Sequence, residues 1–284
     1  MGGFRSGGDS PETRPQGTLI FYVLKTVPES EVALEILTSE NELIRSYSSK
    51  TEEKKERLPI EKGMNRFVWD LKYPKPETIE GAIMSLSRVD GTPVPPGVYK
   101  VRLKAGDSIL DQEFLVKKDP RWEATQADLE AQFELGMQVA SLLTESHTMI
   151  RRIRAVREQA SEISSRAIEA GFDKKLDEAS EALSKKLTEV EDELIQRSNE
   201  TGQDPINYPP KIDNQIAYLL GIVNTQDAKP TQGCYERFEN LKKALAQFKV
   251  QLDEILETDL KAFNRLLDEE GVGRIIVGNE KASD

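Results

Sequence analysis

One cysteine, one histidine and two tryptophans in 284 residues leave little from which to build reactive chemistry. The lone Cys234 excludes an internal disulfide and leaves the redox compartment open. It follows Gly233 near the start of a helical pattern, where the helix dipole would favour a thiolate, but a thiol without a partner reads first as a small apolar filler. His147 has no second histidine or cysteine to complete a zinc ligand set. No run of about 18 apolar residues occurs, so no segment reads as a transmembrane helix. The sequence also lacks a Walker A loop, a G-x-G-x-x-G after a strand, an EF-hand loop and a G-x-S-x-G elbow. No motif calls for a cofactor. Residues 1–17 have no apolar stretch of signal-peptide type and read as a disordered tail or linker.

Charge is present but unevenly placed. Residues 1–122 carry 19 Lys+Arg and 19 Asp+Glu, while the rest carries 20 and 31, so the whole formal charge of −11 lies in the second part. An acidic surface repels phosphate backbones and anionic headgroups, which disfavours nucleic acid as a partner.

The first part alternates in strand fashion. Phe67, Trp69 and Leu71 share one face after Gly63-Met64-Asn65, and Tyr99, Val101 and Leu103 share one after Pro95-Pro96-Gly97. Further strands are expected at Thr18–Lys25, Glu31–Leu37, Asn41–Tyr47 and Ile109–Lys117, with Ala82–Leu86 as a short seventh. Ser48–Lys62 and Tyr73–Thr92 read as surface loops. About a hundred residues of short strands with regular turn signals indicate an immunoglobulin-like sandwich over 18–122.

Helical periodicity takes over at Thr125, which with Asp128 forms a capping-box pattern. A first helix, with a stripe from Leu129 through Ala140, His147 and Ile153 to Ala167, runs to Gly171. Others are expected at Asp173–Arg197, Asp213–Val223 and from Tyr235 to Leu267. Two long and two shorter helices over 123–271 suit an antiparallel up-and-down bundle that could also self-associate, with a tail over 272–284. The expected fold is thus α+β and multidomain, a sandwich followed by a bundle.

Few positions suggest chemistry. On the first helix stripe, His147 reads as a core residue with a hydrogen-bonded ring rather than a base. Glu189-Val190-Glu191-Asp192-Glu193 reads as a solvated acidic face rather than a glycosidase pair. Trp69 reads as sandwich core. Tyr73 and Trp122 are the aromatics available for stacking on a sugar. In the loop 202–210, Asp204 and Asn207 read as turn caps, with Ile206 and Tyr208 anchoring the loop on the helices.

Met64–Tyr73, Pro95–Leu103 and Phe114–Arg121 resemble the FlgD-type immunoglobulin-like domain, whose pattern runs G-x-N-x-x-x-W-D and then P-P-G-x-Y. Asn65, Trp69, Asp70, Gly97 and Tyr99 occupy its motif positions. Thr125–Leu129 and the loop with Asp204, Asn207 and Tyr208 are similar to the C-terminal region of bacterial proteins labelled glycosyl hydrolases or sortilin-like, in which a BNR-repeat β-propeller comes first. The resemblance implies an exported protein and a non-catalytic module attached to an upstream propeller. No Asp-box, S-x-D-x-G-x-T-W, occurs here, so no catalytic residue carries over. A carbohydrate-binding module that assists a glycoside hydrolase is the alternative.

Overall fold

A computed structural model describes residues 17–275 except 55, 85, 88, 173, 202 and 274. The expected tail at 1–17 therefore lies almost wholly outside the described residues, as does most of the one at 272–284.

The fold is α+β, with six strands in two antiparallel sheets followed by helices. Strands β1 (Thr18–Leu24) and β4 (Gly63–Trp69) pair in one sheet. The other has the order β3 (Leu43–Ser48), β2 (Val32–Thr38), β5 (Gly97–Ala105), β6 (Ser108–Val116). Both sheets contribute to one buried cluster that includes Ile20, Val32, Leu34, Ile36, Phe67, Trp69 and Tyr99. All six strands fall within about two residues of their sequence-expected bounds, because period-two alternation dictates which face each side chain takes. Among the described residues of Ala82–Leu86 there is no strand.

The motif residues lock turns at the strand ends. Asn65 is buried; its Nδ2 donates to the carbonyls of Glu61 (2.8 Å) and Gly63 (3.1 Å), and its Oδ1 accepts from the Glu61 N–H at 2.9 Å. The Trp69 indole donates to the Lys72 carbonyl at 3.2 Å, and Asp70 accepts from the Lys72 N–H at 3.3 Å. Together they hold Leu71 at φ +61°. Gly97 opens β5, and the Tyr99 hydroxyl reaches back four residues to donate to the Pro95 carbonyl at 2.7 Å. Trp69, Tyr99 and Phe114 form a cluster with ring centroids 6.0–6.1 Å apart, Trp69 edge-on to each of the other two. At Gly17, φ is +129° and a Cβ would lie 2.1 Å from the Trp69 carbonyl oxygen, so only glycine can lead into β1.

The helices are α1 (Gln126–Glu169), α2 (Lys175–Leu194), α3 (Ile212–Asn224), α4 (Gln232–Ile255) and α5 (Lys261–Glu269). A π-helical turn, Leu256–Leu260, joins the last two into one rod, where a single uninterrupted stripe is expected from the sequence. The capping box is formed: Thr125 Oγ1 accepts from the Asp128 N–H, and Asp128 accepts from the Thr125 N–H at 3.0 Å. A 44-residue α1 extends about 66 Å. It packs along α2, α3 and α4.

The chain forms two compact units, and they are not consecutive in sequence. Residues up to Pro74 together with Pro93–Asp119 make the strand unit; Lys75–Thr92 joins the helical unit that resumes at Pro120. The stretch expected as a loop of the strand domain is therefore mostly a strap over helices. Ile79, Ala82, Met84 and Val89 pack on the helical core without periodic spacing, which is why no pattern announces them.

Candidate functional site

The helical unit carries its unusual chemistry beneath this strap. His147, on α1, is fully buried. Its Nδ1 accepts from the Ile79 N–H at 2.8 Å, so the neutral ring carries its proton on Nε2. That Nε2 lies 3.8 Å from Asp213 Oδ2 and has no hydrogen-bond partner among the described residues. Asp213, in the first turn of α3, is also buried, and its Oδ1 accepts from the Asn214 N–H at 2.6 Å.

Burial has opposite effects on the two groups. It depresses His147 from 6.5 to about 4, assisted by the positive charges of Arg151 and Arg154. It lifts the Asp213 carboxyl from 3.8 to about 7, against the pull of the Asn214 N–H. Near neutral pH the ring is uncharged and Asp213 exchanges a proton. Both groups are closed off from solvent, so no substrate atom reaches them in this conformation.

Around this pair the strap is tied at both ends. The Glu77 N–H donates to Thr144 Oγ1 at 3.2 Å, and Arg151 donates to Glu77 at 2.9 Å. Farther along, the Ser87 hydroxyl donates to the Asn214 carbonyl at 3.3 Å and accepts from its side-chain amide at 3.0 Å. Asn199 donates to the Ile83 carbonyl at 3.3 Å. The arrangement positions a segment of backbone against helices.

A second buried charge lies between α1 and α2. Glu191 is fully buried, and its two oxygens accept from Arg154 Nε and Arg157 Nη1, each at 2.6 Å. Burial pushes its carboxyl up, but the two guanidiniums outweigh that and hold it below the ordinary value. This corrects the reading of residues 189–193 as a solvated face at Glu191, while Glu189, Asp192 and Glu193 are exposed as expected. Glu191 sits four residues after Leu187 and three before Leu194, on the apolar stripe itself.

The remaining positions divide. Tyr73, partly buried, packs on the core of the strand unit, and burial raises its hydroxyl. Trp122 is 50% exposed and belongs to the helical unit, so the two aromatics offered for sugar stacking lie in different units. Asp204 caps its turn, accepting the N–H groups of Thr201 and Glu200 (2.7 Å). Asn207 contributes its backbone N–H to the Asp204 carbonyl at 2.8 Å. Ile206 is 86% exposed and Tyr208 is also exposed, so they do not anchor the loop: a single 3-10 turn, Asp204–Ile206, points them outward. Cys234 is buried in the first turn of α4, its sulfur 3.3 Å from Thr231 Oγ1.

Among the described residues no group of three or more His, Cys, Asp or Glu side chains could hold a metal ion, and no helix is long and apolar enough to cross a membrane. Comparison with known proteins found no matching family, no matching curated protein and no matching solved structure.

Proposed function

We propose that this chain is a non-catalytic interaction module, an immunoglobulin-like sandwich joined to an antiparallel up-and-down helical bundle, working as the C-terminal part of a propeller-containing, glycosyl-hydrolase-like protein. The observation that carries the reading is the outward face of the β1–β4 sheet. Strand β1 is apolar on both faces: Ile20, Tyr22 and Leu24 point into the core, while Leu19, Phe21 (56% exposed) and Val23 (66%) point out beside Met64 (72%) of β4. Solvated sheets alternate apolar with polar residues, and a strand apolar on both sides is suited to burial on both. The resemblance implies an upstream propeller, and we assign that face to it. The Tyr99–Pro95 hydrogen bond, of the tyrosine-corner type, supports the sandwich assignment.

The test is the size of the native protein in its source cells, detected with an antibody against the helical unit. A species several times larger than 32 kDa, or a 32 kDa species that co-purifies with a propeller, supports the proposal. A 32 kDa species free of any such partner sinks it. In a complex, Phe21→Glu would break the association while leaving the fold intact.

The half-exposed Trp122 favours one alternative, carbohydrate binding. Trp69, the other tryptophan, is fully buried, so quenching of fluorescence by polysaccharide fragments would report on Trp122. An unchanged spectrum across a broad panel would exclude that reading.

A further inference from the structure

A groove on the helical unit has the features of a recognition site, and it is independent of the strand-unit face and of any propeller. It encloses about 330 Å³ and is lined by the strap residue Leu86, by Pro210, by Gln215, Tyr218 and Ile222 of α3, and by Arg237 of α4, among others. Its walls are mostly apolar, and three of the apolar side chains are open to solvent: Leu86 at 90%, Tyr218 and Ile222 at about half. Leu86 is also held at φ +50°, a strained conformation for a leucine, with its side chain outside the core.

Among the described residues the polar lining is Asn214, Gln215 and one cation, Arg237. Arg237 donates to Gln215 Oε1, and Gln215 is itself oriented by donating its Nε2 to the Pro210 carbonyl at 2.9 Å. That relay fixes which end of the Gln215 amide meets the guanidinium. Among the described residues Gln215 is the partner of Arg237, and no carboxylate lies within ion-pair distance. A guanidinium has five N–H donors in a planar fork, so most of this one remains available.

We infer that this groove binds the C-terminal residue of a polypeptide ending in an apolar side chain, with the α-carboxylate on Arg237 and the side chain over Tyr218 and Ile222. Charge complementarity selects a carboxylate, and the fork geometry suits its two oxygens. The volume is at the small end of ligand clefts, enough for one or two residues but not for a helix. A C-terminal residue carries its carboxylate and its side chain on the same Cα, so it satisfies both halves of a short site. An internal acidic residue in an extended segment sends its neighbour's side chain to the opposite face.

The test uses the full chain and three dansyl-labelled peptides, measured by fluorescence polarisation. One ends in leucine with a free carboxylate, the second is the same peptide as its C-terminal amide, and the third is an amide with an internal aspartate beside leucine. The proposal expects the free acid to bind at least tenfold more tightly than either amide. Arg237→Gln should abolish that preference, and Tyr218→Ala should weaken the free acid about tenfold. Both side chains are exposed, and an unchanged circular dichroism spectrum would establish that the variants are folded. Equal binding of acid and plain amide would overturn the proposal, as would absence of binding up to millimolar peptide. Equal or tighter binding of the internal-aspartate peptide would also overturn it, pointing to a side-chain carboxylate instead.

Discussion

Replacing Asp213 by asparagine, or His147 by glutamine, should expose a pH dependence that the native pair conceals. Asparagine keeps the oxygen that accepts from the Asn214 N–H, and glutamine can offer an oxygen to the Ile79 N–H, so both substitutions preserve the local hydrogen bonds. Asp213 has an ordinary value of 3.8 and a folded value of about 7. Between those limits the folded protein holds a proton that the unfolded chain has released, so stability falls as pH rises. His147 has an ordinary value of 6.5 and a folded value of about 4. Between those limits the unfolded chain holds a proton that the folded protein lacks, so stability rises with pH.

The two windows overlap from about pH 4 to 6.5, and there the slopes oppose each other. Each is about 1.4 kcal/mol per pH unit where the protonation states differ fully, so across two units each amounts to roughly 2–3 kcal/mol. In the native protein their sum is close to level. Asp213→Asn removes the falling arm, and its stability relative to the native protein should climb by roughly 2–3 kcal/mol from pH 4.5 to 6.5. His147→Gln removes the rising arm and should drop by a similar amount, while the double variant parallels the native protein. Urea unfolding followed by circular dichroism at 222 nm reads the helical unit, and differences between variants cancel the other carboxylates. If either single variant tracked the native protein across this window, the opposing-burial account of the pair would be wrong.

Trp69→Ala should destabilise the strand unit by about 3–5 kcal/mol, as the loss of a buried aromatic predicts, read from the urea midpoint by near-ultraviolet circular dichroism. Gly136→Ala should also destabilise, by about 1–3 kcal/mol, although alanine favours helix: the added Cβ would lie 2.7 Å from Thr92 Cγ2. Thr92→Ser removes that methyl group, so the Gly136→Ala, Thr92→Ser pair should recover most of the lost midpoint. Glu191→Gln should cost about 1–3 kcal/mol at neutral pH, because it removes two charge-assisted hydrogen bonds but leaves no buried charge. Its difference from the native protein should shrink as pH falls below the ordinary carboxylate value of 4.5, since native Glu191 contributes stability above that value and loses it as it is protonated. Replacing Arg154 and Arg157 together by alanine should cost more, about 3–5 kcal/mol, by leaving the carboxylate buried with its two closest partners gone. Thermal melts of the Glu191 variant and the double arginine variant at pH 7 would rank them.

The strands and the main helices were legible because each depends on a repeating pattern within its own segment. Val32, Leu34 and Ile36 announce β2, and Thr125 with Asp128 announces the start of α1. The turn residues were legible as motifs but not as mechanisms. The sequence marks Asn65 and Trp69; only the structure shows that one side chain clamps Glu61 and Gly63 while the other caps the carbonyl of Lys72. What was not legible depends on pairs of residues far apart in the chain, as Ile79 with His147 and Arg154 with Glu191 are.

Even so, two of the missed groups left a trace. Glu191 falls where the α2 stripe calls for an apolar residue, between Leu187 and Leu194, and Asp213 falls three residues before Ile216 on the buried face of α3. A carboxylate on an apolar stripe is evidence of a cation or a shared proton on the opposing element, since burial without a partner would cost several kcal/mol. For Glu191 that inference leads to the arginines of α1, spaced three apart at 154 and 157 so that both reach one carboxylate. For Asp213 it finds no cation within bonding distance among the described residues, only the neutral His147, and the carboxyl accommodates burial by holding its proton to higher pH. The general expectation that carboxylates are solvated therefore fails at two positions for different physical reasons, one resolved by charge pairing and the other by protonation.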